Sequence, residues 1–267
     1  MKKLLTLLLT LILSLTAVVG LTACNDKPTI TVGYTEVPGL NYKDENGKLV
    51  GFDTELAEKV FTELGYEVRF KLIEWSNKYS EVNGGTIDVI WNGFTANCAD
   101  DDGIQRSEKV DFSYNYMMNA QCIIRKSTGA ELDSLTQFDG KSVAFESGSA
   151  AETLVTGIEG ATVNTKPCTS QLDAIREVNS GTAQYAVVDY LLAKSIVGQG
   201  DYETVVINES IELDTEFYAI GFKKGSELTA KVNAKLVEYA ASGYLKQLAD
   251  KYGFSNQIIT DYSDQIK

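Results

Sequence analysis

The sequence predicts an α/β protein of two similar lobes, each a central, mostly parallel sheet flanked by helices, with a ligand cleft between them. Three observations carry this. Apolar segments switch between the two-residue period of strands and the 3.6-residue period of helices in the order βαβαβ, and that order returns later in the chain. A short segment also recurs: Glu81-Val82-Asn83-Gly84-Gly85-Thr86 and Glu177-Val178-Asn179-Ser180-Gly181-Thr182 agree in five of six positions at an offset of 96 residues. Finally, 267 residues that are 44% hydrophobic and 23% charged suffice for two globular units and rule out disorder as the main state.

Residues 1–23 read as an export signal rather than as fold. Lys2 and Lys3 precede a long apolar run that ends in Leu21-Thr22-Ala23-Cys24, which resembles a bacterial lipobox. Cleavage there leaves Cys24 as a lipid-bearing N-terminus, with 24–28 as its tether. The fold then starts with a strand over 29–34. After a turn at Asn46-Gly47 comes a helix over 53–64, whose Leu56, Ala57, Val60, Phe61 and Leu64 share one face and which Gly65 closes. A strand over 66–73, a helix over 77–83 closed by Gly84-Gly85, and a short buried strand over 87–92 complete the first unit. The second has a strand over 141–145, a helix from Ala150, a strand over 161–165, a helix over 170–179, a strand over 184–188 and a helix over 191–197.

Charge narrows the function. Thirty-seven acidic residues against 24 basic ones give a net charge of −13, which repels phosphate backbones and argues against nucleic-acid binding. The chain has no histidine, so Ser-His-Asp and Cys-His catalysis and the usual catalytic zinc sites cannot be built from it. Export would place Cys98, Cys122 and Cys168 in an oxidising compartment. Cys98 with Cys122 is the pairing within one stretch of chain, and three small buried hydrophobes is the competing reading. No metal site is expected: an EF-hand loop counted back from Gly103 would begin at Cys98 and end at Lys109, both wrong for calcium.

In open parallel sheets ligands bind beyond the carboxyl ends of strands, which here means Asn92 and Asp189. Near the first lie Gly93, Phe94 and Thr95, with a backbone open to close approach and a hydroxyl. Arg106 follows, and its planar fork suits a carboxylate, although pairing with Asp100 to Asp102 is the alternative. In the second unit Glu146-Ser147-Gly148-Ser149 runs into a helix at Ala150, leaving N–H groups free for an anion. Asp189 supplies the negative charge an ammonium needs, or else caps the helix after it. Donors for a carboxylate and an acid for an amine are the recognition pattern of a free α-amino acid.

Four segments make the chain resemble a known family: Asn46 to Asp53, Gly85 to Thr95, Arg106 with Val110-Asp111-Phe112-Ser113, and Tyr218 to Ser226. They resemble the amino-acid-binding lipoproteins of bacterial ABC importers, extracellular solute-binding protein family 3. The resemblance implies a periplasmic-binding-protein-like type II fold, with lobe 1 over 29–121 and 216–267, lobe 2 over 122–215, and crossover strands near Asn119 to Ile123 and Glu216 to Gly221. It implies that Arg106, Thr95 and the Ser149 backbone hold the ligand carboxylate. Asp189 and the Gly93 backbone would hold the ammonium, and Trp75 would form a wall. Asn92, Phe94, Ser147 and Ala150 complete the expected ligand-binding set. One departure is the acidic stretch between Thr95 and Arg106, which is longer than the family's spacing and must loop out.

The expected function is therefore capture by hinge closure and delivery to an ABC permease with its ATPase. The protein is expected to be a lipid-anchored monomer on the outer face of the cytoplasmic membrane, with no cofactor and no catalysis. Rival readings are a surface sensor that signals to a receptor or kinase, and a dehydratase-like enzyme using Glu36 or Glu146 as an acid. Leu40, Tyr42 and Tyr190 are further candidates for the side-chain pocket. An apolar or uncharged polar amino acid is the expected ligand, because no second basic residue is securely in the pocket; cystine, glutamine and aromatic residues stay open.

Overall fold

The structure, a computed structural model, describes residues 27–266; the signal segment and Cys24 lie outside these residues. No helix among the described residues is long and apolar enough to cross a membrane.

The chain opens with β1 (Thr29–Tyr34), a small hairpin of β2 (Tyr42–Lys43) and β3 (Leu49–Val50), and the helix Phe52–Glu63. The predicted apolar face of that helix is its buried face, with Leu56, Ala57, Val60 and Phe61 inaccessible to solvent. Next come β4 (Glu67–Leu72), a 3-10 turn at Trp75–Asn77 that runs into the helix Lys78–Gly84, and β5 (Val89–Ile90). The first sheet has the order β4-β1-β5, all parallel. It is extended on the far side by two antiparallel strands from elsewhere in the chain, β6 (Asp111–Phe112) and β13 (Gly221–Phe222), with β13 between β5 and β6.

β7 (Met117–Lys126) leaves this first body. The second sheet contains β8 (Ser142–Glu146), β9 (Asn164–Cys168), β10 (Tyr185–Asp189) and β11 (Val205–Ile207), in the order β11-β7-β10-β8-β9. Its β10, β8 and β9 are parallel, and β7 runs antiparallel to β10 and β11. The return passes through β12 (Thr215–Tyr218), which pairs antiparallel with the first half of β7, Thr215 opposite Ala120 and Tyr218 opposite Met117. The chain thus crosses between the two sheets on a paired double strand. Both lobes hold the expected parallel trio, and the antiparallel members are the strands that cross over or return. The C-terminal helices Leu228–Ala241 and Tyr244–Tyr252 pack back on the first lobe, where Val232, Leu236, Leu245 and Ala249 are fully buried with the Phe52–Glu63 helix face.

One expectation is corrected, and one open alternative is decided. The strand predicted over 161–165 lies at Asn164–Cys168, because Thr162 is used as a lead-in: its N–H donates to the Asp139 carboxylate and its carbonyl accepts from Gly140. Pro167 is accommodated because β9 is an edge strand, where a missing N–H costs no ladder bond. Cys98 and Cys122 do not pair; these two and Cys168 are free thiols. Cys122 sits in β7 opposite Val188, inside the second sheet, whereas the Cys98 Sγ points back to the Thr95 carbonyl of the first lobe at 4.0 Å.

The repeated segment has one structural meaning. In each copy a helix, Lys78–Gly84 or Gln171–Ser180, ends on a left-handed glycine, Gly85 at φ 75° and Gly181 at φ 82°. The following threonine turns its hydroxyl back on the glutamate that began the segment, Thr86 on Glu81 and Thr182 on Glu177. A lysine from the neighbouring strand then pairs with that glutamate, Lys71 with Glu81 at 2.6 Å and Lys166 with Glu177 at 2.5 Å.

Candidate functional site

The carboxyl ends of the parallel strands of both sheets face one another across a narrow cavity. It is lined by Thr35, Trp75, Asn92, Gly93, Thr95 and Arg106 from the first lobe and by Glu146, Ser149, Ala150, Gln171 and Asp189 from the second. Eight of the ten expected ligand-binding residues are therefore here. Phe94 is one layer behind: its fully buried ring packs edge-on to Trp75 and lies 5.3 Å beneath the Arg106 guanidinium carbon, a cation–π support. Ser147 is not in the cavity. β8 ends at Glu146, and Ser147, the first residue of the turn after it, lines a separate depression with Glu74 and Pro167.

Arg106 opens a single helical turn, Arg106–Lys109, and is 1% exposed. Its Nε donates to Asp100 at 2.8 Å, Nη1 to the Thr95 carbonyl at 3.1 Å, and Nη2 across the cleft to the Gly148 carbonyl at 3.2 Å. A guanidinium has five N–H donors, so one remains on each terminal nitrogen, the pair that makes a bidentate fork. The pairing with Asp100 is thus compatible with a carboxylate site: it anchors the guanidinium by its side. Lys109 holds the other Asp100 oxygen at 2.8 Å. Burial would push the Asp100 carboxyl up, but Arg106 and Lys109 together hold it below its usual range. The acidic loop is therefore the arm that positions Arg106, with Ala99 bridged to Gln105 at its base.

Asp189 ends β10 at the N-cap position of the helix Tyr190–Ile196, yet its side chain makes no capping bond. It accepts from Gln121 Nε2 at 2.6 Å and from Gln171 Nε2 at 2.8 Å. Gln121 also donates to Glu216, at 3.0 Å, so one amide serves two buried carboxylates. Burial is the main reason that both acids titrate high, Glu216 at about 7. Glu216 collects the hinge: Thr95 Oγ1 donates to it at 3.1 Å and Asn119 Nδ2 at 3.0 Å. Asn92 is fully engaged within the first lobe, its amide nitrogen donating to the Thr35 carbonyl at 3.0 Å and Asn41 Oδ1 at 2.7 Å, while its oxygen accepts from Thr35. It lines the cavity as a structural pin.

Three contributors were not foreseen. Lys78, at the start of the helix Lys78–Gly84, is 1% exposed. Its ammonium donates to the Gly148 carbonyl of the opposite lobe at 2.8 Å and lies over the rings of Trp75 and Tyr79. Burial, then repulsion from Arg106, pulls it down to about 7. Gln171, in the first turn of the helix Gln171–Ser180, carries no signal of its own in the sequence, yet its side chain holds Asp189. Asp53, fully buried below the cavity floor, accepts from the Gly93 N–H at 3.1 Å and the Tyr116 hydroxyl at 2.9 Å, and burial raises its carboxyl to about 7. The segment Gly51-Phe52-Asp53 was its signal. Leu40, Tyr42 and Tyr190 do not line the cavity, and Glu36 is a surface residue paired with Lys43 at 3.5 Å. No group of three or more Cys, Asp or Glu among the described residues is arranged to hold a metal ion.

Cations from one lobe thus converge on Gly148 of the other. Gly148 has φ 75°, a left-handed conformation suited to glycine, and a Cβ there would come 3.1 Å from Ser76 Cα across the cleft. Thr153 adds a third crossing bond, to the Ala99 carbonyl at 3.2 Å.

Two α/β lobes on a paired double strand, with a charged cavity between them, are the architecture of a solute-binding protein. The chain belongs to the bacterial extracellular solute-binding proteins, family 3, whose family model matches residues 30–256. Among its relatives, the arginine-binding extracellular protein ArtP of Bacillus subtilis (strain 168) is 26% identical over 215 residues, covering 80% of this chain and 81% of that protein. The L-cystine-binding protein TcyJ of Escherichia coli (strain K12) is 25% identical over 234 residues, covering 85% and 83%. Among solved structures, an ancestral arginine-binding protein bound to arginine matches with a TM-score of 0.77 and 32% identity over 85% of this chain and 98% of that one.

Proposed function

We propose that this protein captures a free α-amino acid between its lobes, 29–121 with 216–267 and 122–215, and delivers it to the permease and ATPase of an ABC importer. The observation that carries this is the state of Arg106: buried, anchored at Nε by Asp100, with one N–H left on each terminal nitrogen at a cavity whose far wall presents Asp189. The ligand carboxylate takes the two free N–H groups of the Arg106 fork, next to Thr95 and Ala150; the Ser149 N–H expected from sequence is already given to the Glu146 carbonyl at 3.2 Å. The ammonium takes Asp189 and the Gly93 carbonyl. Contacts from both lobes make the closed form the favoured state once ligand binds. The protein works as an exported monomer held at the membrane by a lipid on Cys24, and it binds without turnover.

A thermal-shift panel of the purified protein against the twenty amino acids, cystine and ornithine tests the reading. Ligand at about 100 times its Kd adds about 2.7 kcal/mol to apparent stability. A shift with one or a few α-amino acids, lost in Arg106→Ala, is expected; no shift with any of them in a folded protein contradicts it.

A further inference from the structure

The cavity holds one carboxylate more than a simple zwitterion needs. Glu146 is the last residue of β8 and Asp189 the last of β10, parallel neighbours in one sheet, so both side chains leave the same edge toward the cavity. They differ in what holds them. Asp189 is fixed by two glutamine amides, whereas the Glu146 carboxylate has no hydrogen-bond or ion-pair partner among the described residues although the residue is only 3% exposed. The charged groups around it are Asp189 on β10, Lys78 and Arg106 from the first lobe, and Asp173 from the helix after β9. None of these neutralises it directly: Lys78 and Arg106 both donate to Gly148, Arg106 is further matched by Asp100, and Asp173 is bound to Arg176 at 2.8 Å.

A desolvated carboxylate with no partner is costly, and its environment pushes Glu146 up to about 8, burial first and the nearby Asp189 second. An α-amino acid carrying only its α-ammonium and α-carboxylate satisfies Asp189 and Arg106 and leaves Glu146 as it was. We propose that Glu146 binds a second cationic nitrogen on the ligand, so that the protein selects amino acids bearing a second amine or a guanidinium over neutral ones of the same shape. This rests on the proposed amino-acid site and names its ligand class, in place of the uncharged side chain expected from sequence. The second nitrogen has two sources, a basic side chain or the second α-ammonium of a dimeric amino acid such as cystine.

Calorimetric titration of the purified protein with arginine, ornithine, lysine and cystine, and with the neutral isosteres citrulline and norleucine, separates the cases. Hydrogen bonds to a charged group contribute enough that a dicationic ligand should bind about tenfold to a hundredfold tighter than its neutral isostere. Which of the basic acids or cystine leads identifies the source. Because Glu146 starts protonated and ends ionised, binding near pH 7 should release about one proton per ligand, read from the dependence of the heat on buffer ionisation. Glu146→Gln should bring the two classes of ligand to about equal affinity and reduce the proton release of a dicationic ligand to that of its neutral isostere, while retained binding of the neutral isostere shows that the variant is folded. Neutral amino acids binding as tightly as dicationic ones, or an unchanged ratio in Glu146→Gln, would overturn the inference and leave the amino-acid site standing. Absence of binding by every amino acid would overturn both.

Discussion

At Arg106 and its neighbours, what matters is how many donors and acceptors each group has left. Asp100 takes Nε of Arg106 and one Lys109 bond, so Asp100→Ala strands a buried guanidinium. Breaking a buried pair by removing one partner costs about 3 to 5 kcal/mol, which chemical denaturation should read, and the ligand affinity should fall with it. Arg106→Lys keeps the charge but loses the fork; the expected result is binding weakened by about tenfold to a hundredfold with near-normal folding, measured by calorimetry. Residue type made Arg106 and Asp189 legible in the sequence, because fork and acid are chemistry that the type itself announces. Lys78, Gln171 and Asp53 were hidden, because their roles depend on what the opposite lobe, the neighbouring strand or the loop above brings against them. Ser147 was not separable from Ser149 in the sequence, because both are small polar residues of one turn and only the fold of that turn says which of them meets the cleft.

Among the elements, the paired caps of the two lobes show how local sequence sets a joint. Gly85 and Gly181 face open space, so a Cβ there meets no atom and the cost of a side chain is that of the left-handed backbone alone. Gly181→Ala is expected to cost about 1 kcal/mol in thermal or denaturant unfolding and to leave ligand affinity unchanged. Gly148→Ala is the informative contrast. It too has positive φ, but its added Cβ meets Ser76 across the cleft only when the lobes are together, so it should weaken ligand binding more than Gly181→Ala at a similar cost in unfolding. Strands and helices were readable from period and end signals. The edge strand β9 shifted because its pattern gave no weight to Pro167 in an edge position, and the crossover pair was readable only through the family resemblance, since nothing in β7 or β12 taken singly says that they pair.

In the molecule as a whole, buried acids collect at the cleft and beneath it. Asp53 and Glu216 titrate at about 7, Glu146 at about 8, and Asp189 is also raised, in each case chiefly by burial. Their unfolded values lie near 4, so between about pH 4.5 and 7 the folded state binds more protons than the unfolded one, and stability falls as pH rises. Lys78 acts in the opposite sense, but only above its folded value of about 7. The ligand-free protein should therefore be most stable near pH 5 and lose melting temperature steadily to pH 7, which a thermal series in matched buffers checks; a flat or rising profile would mean that these acids are solvated. A ligand with two cationic nitrogens should flatten that profile by ionising Glu146 in the closed form. Capture depends on closure, because the cavity exists only where the two lobes meet on Gly148. Small-angle scattering during titration with the amino acid picked out by the thermal-shift panel reads it directly. On saturation the radius of gyration should fall, and Arg106→Ala should show no such contraction; an unchanged radius with ligand demonstrably bound would contradict capture between the lobes.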